Sequence, residues 1–264
     1  MKLGAQLYSL RTFLQTPEDI RATFLHVKEI GYENVQLSGA APTPAETLKN
    51  ISEETGMKIV CTHNPFDRIV NDTDALIAEH KTFGCPVIGL GGMPIPYREK
   101  LEGLQEFFRV MEEPVKKIEA AGLHFAYHNH SFEFKPFSDS EGCAYDVMLE
   151  TKPTWHFIMD TCWVVYAGKS ATEYIRKMGA DRLWNIHFKD FANDAPGTQF
   201  DQAGCKICPC GTGYLDFKPI VALCEEIGVK HALVEQDNAV TFPDPFGQME
   251  ESFRNLRPLI AKEN

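Results

Sequence analysis

Short apolar runs alternate with longer amphipathic stretches from one end of the chain to the other. The short runs read as β-strands at LGAQLYS (3–9), NVQLS (34–38), KIVCTH (58–63), VIGLG (87–91), HFAYHN (124–129), HFIMD (156–160), LWNIHFKD (183–190) and HALVEQ (231–236). The stretches between them carry apolar residues at helical spacing. Thr16-Pro17-Glu18-Asp19 opens the first helix with a Thr cap, a Pro in the first turn and acids at the positive end of the helix dipole. Similar starts stand at Thr43-Pro44-Ala45-Glu46 and Ser170-Ala171-Thr172-Glu173. Gly31, Gly56, Gly84, Gly122, Gly179 and Gly228 each follow a helical run and precede a strand, where a C-terminal cap belongs.

Eight strands in strict alternation with helices imply a parallel sheet. Right-handed crossovers then close that sheet into a barrel. A doubly wound open sheet would carry a Gly-rich turn after its first strand, and the segment there, YSLRTF, has no glycine. The length of 264 residues matches a barrel of about 250. The expected fold is therefore α/β, a single (β/α)8 TIM barrel spanning 1–264.

In such a barrel the chemistry sits at the C-terminal ends of the strands. Those ends carry Gln6 and Tyr8, Gln36, His63, then His128, His130 and Glu133, followed by Asp160, His187 with Lys189, and Glu235. The segment FAYHNHSFEF (125–134) crowds polar groups where a strand should bury apolar surface. A buried polar group without a partner costs roughly 1–3 kcal/mol, so these side chains are either satisfied or functional. His26, His80, His124, His156 and His231 fall on helices or at strand beginnings and are expected to be surface or helix-terminus histidines.

Composition narrows the partners. With 26 Lys and Arg against 37 Asp and Glu, the formal charge of −11 repels polyanions, so no nucleic acid is expected. It suits a cation or a neutral polar substrate. The N-terminal MKLGAQLYSLRTF lacks the apolar run of a signal peptide and no segment reaches the ~18 apolar residues of a membrane span, so a cytoplasmic protein without membrane contact is expected. Of the eight cysteines, Cys61, Cys85, Cys143, Cys162 and Cys224 are scattered and read as free thiols. Cys205, Cys208 and Cys210 cluster in CKICPC, one thiol short of a four-ligand structural zinc site, and read as a cysteine-rich loop. The long segment 191–210 around them is expected to cover the barrel mouth or to meet a neighbouring copy in a homo-oligomer.

Asp160, His187 and Glu235 end the last three strands, so barrel closure converges them on one axis. Two carboxylates and an imidazole, joined by a side chain of the fifth strand, make a mixed oxygen and nitrogen site. That mixture suits Mn²⁺, Co²⁺, Zn²⁺ or Fe²⁺. MDTCWVVYAG (159–168), IHFKD (186–190), CGTGYLDF (210–217) and VEQD (234–237) resemble segments of the xylose isomerase-like barrel superfamily of sugar phosphate isomerases and epimerases. The resemblance covers essentially the whole chain. It implies a divalent metal held by strand-end Glu, Asp, His and Glu, of which Asp160, His187 and Glu235 match three. The fifth strand departs from the pattern: the usual Glu position holds His128. The fourth ligand is thus open between Glu133, His128 and His130, with Glu133 preferred because its carboxylate preserves the ligand chemistry.

The resemblance implies proton abstraction next to a carbonyl through an enediolate. A small sugar or keto-sugar would be the substrate and Mn²⁺ the expected ion. Glu235 would work with Glu133, His128 or His130 as acid and base, and Lys189 would stabilise an oxyanion or neutralise Asp190 or Glu235. Gln6, Tyr8, His63 and Trp163 are the expected substrate contacts, with Phe66 as a further apolar face. Isomerase or epimerase activity is expected first. The histidine-rich fifth strand keeps keto-sugar lyase chemistry, β-elimination from a 3-keto-glycoside, as the alternative.

Overall fold

Side-chain parity along the strands decides what faces the barrel axis. In β5 (His124–His128), Phe125 and Tyr127 point outward into the helix layer, whereas Ala126 joins the inner cluster with Cys61, Val87, Ile158 and Leu233. Two residues further along a strand the side chain again faces inward. That step leads from Cys61 to His63, from Ala126 to His128, from Ile158 to Asp160 and from Leu233 to Glu235. The apolar inner layer thus becomes the floor beneath a ring of ionisable groups.

The computed structural model describes residues 1–192 and 200–261. The strands β1 (Lys2–Gln6), β2 (Asn34–Leu37), β3 (Lys58–Asn64), β4 (Val87–Leu90), β5, β6 (His156–Asp160), β7 (Asn185–Phe188) and β10 (His231–Val234) form a closed parallel barrel, with β10 between β7 and β1. A separate antiparallel pair joins β8 (Asp190–Phe191) to β9 (Ile207–Cys208). In β3 the register slips so that Val35 pairs with Ile59 but Gln36 with Cys61, which turns Cys61 and then His63 inward. Among the described residues no helix is long and apolar enough to cross a membrane.

Outside the strands, α5 (Leu101–Ala120) buries Leu104, Phe107, Met111 and Ile118 against the sheet. Phe107 lies 6.1 Å from the Tyr127 ring and 5.9 Å from Trp155, and Trp155 lies 4.9 Å from Phe125. Burying each such ring stabilises the fold by roughly 1.5–3 kcal/mol. Phe66 belongs to this packing, 5.7 Å from Tyr97 and 5.9 Å from Phe107, and does not line the mouth.

Local signals set most element ends. Thr16 and Asp19 form the reciprocal capping box that starts α1 (Pro17–Ile30), and the Ser170 side chain caps α8 (Ala171–Arg182). The expected Thr43 cap does not form. Pro44 takes that position before α2 (Ala45–Thr55), and the Thr43 hydroxyl donates to Ala41 O instead. Gly179, with φ of 65°, breaks the helical backbone within α8, so the first helical run stops there and a short turn leads on to Arg182. The run LWNIHFKD does not continue as one strand. The Asp190 carboxylate turns away to accept N–H groups of Phe191, Gly211, Gly213 and Leu215, which ties the CGTG segment to the end of β7. Gly213 is obligatory there, since a Cβ would sit 2.5 Å from Phe191 O.

Candidate active site

Four side chains from adjacent strand ends meet at the mouth: His128, Asp160, His187 and Glu235 each offer one ligand atom within 4.8 Å of the others. All four are buried. His187 Nδ1 lies 2.8 Å from Glu235 Oε2 and His128 Nε2 lies 3.4 Å from Asp160 Oδ2. Each is oriented from behind. Gln36 Oε1 stands 2.6 Å from His187 Nε2 and Gly91 O stands 3.1 Å from His128 Nδ1. Gln6 Nε2 donates to Glu235 Oε1 at 2.7 Å, and Asp160 N donates to Asn129 Oδ1 at 2.9 Å.

An Nε2–H of His187 given to Gln36 leaves its Nδ1 with a lone pair aimed at Glu235, while His128 Nε2 stands within hydrogen-bond reach of Asp160. His187 Nδ1 and Glu235 Oε2 are both buried without a hydrogen bond. Two acceptors 2.8 Å apart in a dry site require positive charge between or beside them. A pair of imidazole nitrogens and a pair of carboxylate oxygens is the donor set that Zn²⁺, Mn²⁺, Co²⁺ or Fe²⁺ takes.

Part of the positive charge comes from Lys189, whose ammonium is buried 2.9 Å from Asp160 Oδ2, 2.8 Å from Glu235 Oε2 and 3.0 Å from Asp237 Oδ2. The Glu235 contact is an ion pair without hydrogen-bond geometry. Burial favours the neutral amine, but the three carboxylates outweigh it and hold Lys189 charged, its pKa well above the ordinary value. Burial likewise pushes the Asp160 and Glu235 carboxyls up, and Lys189 with the nearby histidines pulls both below their usual range. Burial pulls His128 down, and Asp160 with Glu235 raises it above its ordinary value. Asp190 is not a partner of Lys189, because its carboxylate is spent on the four backbone donors described above.

The segment YHNHSFEF divides its labour residue by residue. Tyr127 faces away from the axis, accepts Met93 N–H and donates to Glu133 Oε1 at 2.7 Å. His130 N donates to Glu133 Oε2 at 2.7 Å. Glu133, the preferred fourth ligand in the sequence, therefore lies outside the four-residue group and His128 stands in its place. The reason is local: Glu133 falls in a single 3-10 turn (Phe132–Phe134) that folds its carboxylate back beneath the strand. Burial pushes it up to about 7 in spite of these hydrogen bonds. Asn129 holds Asp160, as noted. His130 stacks on Phe132, 6.0 Å from the Trp163 ring, and its Nδ1 is buried without a partner. His63, 4.9 Å from His128 ring to ring, has Nε2 likewise unpartnered. Burial and neighbouring histidines hold both rings neutral.

A cavity of about 710 Å³ opens over this centre, lined by Gln6, Tyr8, His63, His128, His130, Trp163, Lys189 and Glu235 among others. The expected substrate contacts Gln6, Tyr8, His63 and Trp163 thus share one space. Gln6 is already engaged, its Oε1 accepting Tyr8 N at 2.6 Å and its Nε2 held by Glu235. Sequence reasoning missed Arg11, Asn129 and Asp237. Asn129 was visible between the two histidines, and Arg11 and Asp237 each follow an identified strand end by a few residues. Gln202, Cys205 and Ile207 also line the cavity, so the described part of 191–210 reaches the mouth, while 193–199 lie outside the described residues. The three clustered cysteines separate: Cys205 Sγ approaches Cys162 Sγ at 3.8 Å, Cys208 enters β9, and Cys210 Sγ faces Phe188 O. His80 is the exception among the five non-site histidines, being buried rather than at the surface, between Thr62 Oγ1 and Leu76 O.

A family model described as xylose isomerase-like TIM barrel matches residues 24–259. A sugar phosphate isomerase/epimerase from Parabacteroides distasonis ATCC 8503 superposes with a TM-score of 0.75 at 24% identity, over 99% of this chain and 100% of that one. The probable 3-DHS dehydratase AsbF of Bacillus anthracis gives 0.71 at 14% identity, over 97% and 99%. The IolI protein, crystallised with a bound zinc atom, gives 0.72 at 13% identity, over 98% of each chain. At these identities the structural likeness speaks for the fold. No curated protein sequence matched the chain.

Proposed function

The chain belongs to the xylose isomerase-like TIM-barrel family, and from that premise we propose that it is a divalent-metal-dependent enzyme that removes the proton next to the carbonyl of a sugar or keto-sugar and returns it in the manner of an isomerase or epimerase. The observation that carries this reading is the convergence of His128, Asp160, His187 and Glu235 with two unsatisfied lone pairs on His187 and Glu235. A divalent ion held there would polarise the substrate oxygens and lower the energy of an enediolate. Mn²⁺ is the ion we expect.

The chain's own residues do the rest. Lys189 keeps its proton and offers a fixed positive charge to a developing oxyanion. His130 and His63 line the cavity as neutral rings, each with one buried ring nitrogen that has no partner, and they are the groups we assign to take a proton. Glu133, absent from the cavity lining, acts at a distance by anchoring the His130 backbone. Trp163 and Tyr8 furnish aromatic walls to the cavity. The acidic charge of the chain opposes a nucleic-acid substrate.

Elimination from a keto-glycoside is the second reading. One observation favours it: a cavity of about 710 Å³ lies within the ~300–1,000 Å³ range that encloses a drug-sized ligand, more than a lone sugar ring requires. Elemental analysis of the purified protein, followed by incubation with Mn²⁺ and a panel of ketoses and 3-keto-glycosides in D₂O, separates the readings. Deuterium gained next to the carbonyl supports proton abstraction, and release of water or an aglycone identifies elimination. Absence of retained metal together with absence of deuterium would overturn the proposal.

A further inference from the structure

The wall of the mouth cavity formed by Ser38, His63, Asn64 and Pro65 is also the wall of a second cavity of about 650 Å³. The second cavity lies between the β2–α2 connection and the pair α3 (Phe66–Asn71) and α4 (Thr73–Phe83). It is more apolar than the mouth. Leu37, Ala40, Ala41, Pro42, Leu48 and Phe83 supply its apolar lining.

Apart from His63, which stands at the boundary with the mouth and whose Nε2 has no partner, the inner polar groups are engaged with one another. Asn64 Nδ2 donates to Thr62 Oγ1 at 2.8 Å, and the Thr62 hydroxyl lies 2.8 Å from His80 Nε2. His80 Nδ1 is in turn 2.7 Å from Leu76 O. At the outer rim Arg68 and Glu79 neutralise each other in a half-exposed ion pair. Beyond the His63 boundary, a floor of Asn64, Thr62 and His80 bonded to one another and a rim without net charge favour an apolar ligand over an ionic one. What they admit is an apolar group entering from the mouth past His63 and Asn64. Small side chains at positions 40 and 41 leave it room, and Pro42 and Pro44 hold the surrounding connection in shape.

We propose that the second cavity receives a flat, apolar substituent, an aryl aglycone, of a substrate whose sugar ring lies over the His128, Asp160, His187 and Glu235 centre. The proposal rests on reading the mouth as a sugar site. It names the substrate class as aryl glycosides or their keto forms rather than free sugars, and it makes Ala40 and Ala41 determinants of specificity that touch no reacting atom.

Binding by titration calorimetry tests it with three probes: phenyl β-glucoside, methyl β-glucoside and 2-naphthol. Wild-type protein should bind the phenyl glucoside at least tenfold more tightly than the methyl glucoside. Ala41→Phe and Ala40→Phe, each checked for an unchanged circular-dichroism melt, should reduce that ratio below twofold while leaving methyl glucoside affinity unaltered. Either variant suffices if the other fails to fold. Should 2-naphthol alone bind the wild type and not the variants while neither glucoside binds, the aryl site stands and the sugar reading of the mouth fails. Equal affinity for the two glucosides in the wild type, an aryl preference that survives both substitutions, or no binding of any probe would overturn the proposal.

Discussion

The barrel carries histidines at both ends of its strand ring, in β5 at both ends of one strand, and they are put to different use. His124 and His128 bracket β5, while His156 begins the strand that Asp160 ends and His231 begins the one that leads to Glu235. At the lower end His124 and His156 pack edge-on to each other and to Trp184, whose ring is covered by the Lys230 ammonium at 3.4 Å. Among the described residues no carboxylate pairs with them there, and His156 and His231 are pulled down to about 4 by partial burial and nearby cationic side chains. At the upper end His128 is fully enclosed, its Nδ1 facing a backbone carbonyl and its Nε2 facing two carboxylates. The residue type is the same. What separates a packing histidine from a candidate ligand is a carboxylate in front and a hydrogen-bond acceptor behind.

The largest contrast should come from removing one carboxylate at the upper end. Asp160→Asn or Glu235→Gln is expected to abolish metal retention and to slow proton exchange by about a thousandfold, within the ~10²–10⁴ range of such groups. His156→Phe at the lower end should change neither by more than about twofold. Elemental analysis and deuterium exchange measure both. If the two ends respond alike, the distinction drawn here has no functional content.

Removing the acceptor behind a ligand should cost less. Gln36→Leu leaves His187 Nε2–H without its partner and is expected to weaken metal affinity roughly 10–100-fold while the protein still folds. Competition with a chelating dye reads this directly. An unchanged affinity would show that the tautomer of His187 is set by something other than Gln36.

Glu133 sharpens the comparison through stability. Its carboxyl is pushed up from 4.5 to about 7 by burial. A group raised in this way contributes stability that is complete below pH 4.5 and is lost as pH climbs through 7. Relative to wild type, Glu133→Gln should therefore gain stability as pH rises from 5 to 8, by up to roughly 3 kcal/mol, visible in urea melts at a series of pH values. The smallest effect belongs to the lower end. His156, depressed to about 4, supports the fold above pH 6.5 and withdraws that support as pH falls toward 4. His156→Phe should soften acid unfolding by less than about 1 kcal/mol, because solvent reaches much of the ring and screens its charge.

Much of this could be read before any coordinates. HFIMD forms a strand over the residues expected, and every barrel strand falls within two or three residues of its apolar run. The exceptions lie where tertiary contacts override pattern. LWNIHFKD looks continuous, yet three backbone donors distant in sequence, Gly211, Gly213 and Leu215, draw Asp190 out of the barrel sheet. The candidate metal centre shows the same limit. Glu133 was favoured on chemistry, while the alternation of HFAYH already placed Ala126 and His128 on one face. Parity along the strand carried the answer, and the turn that folds Glu133 back toward Tyr127 left no mark in the sequence. His80 escaped for a similar reason, since nothing in its helix announces Thr62 across the gap.

The Lys189 ammonium has a practical consequence. By bridging Asp160, Glu235 and Asp237 it quenches the repulsion that would otherwise spread those acids apart once an ion is stripped away. A chelator-treated sample should thus keep its architecture, and one preparation can be reconstituted in turn with manganese, cobalt, zinc or iron so that the metals are ranked side by side.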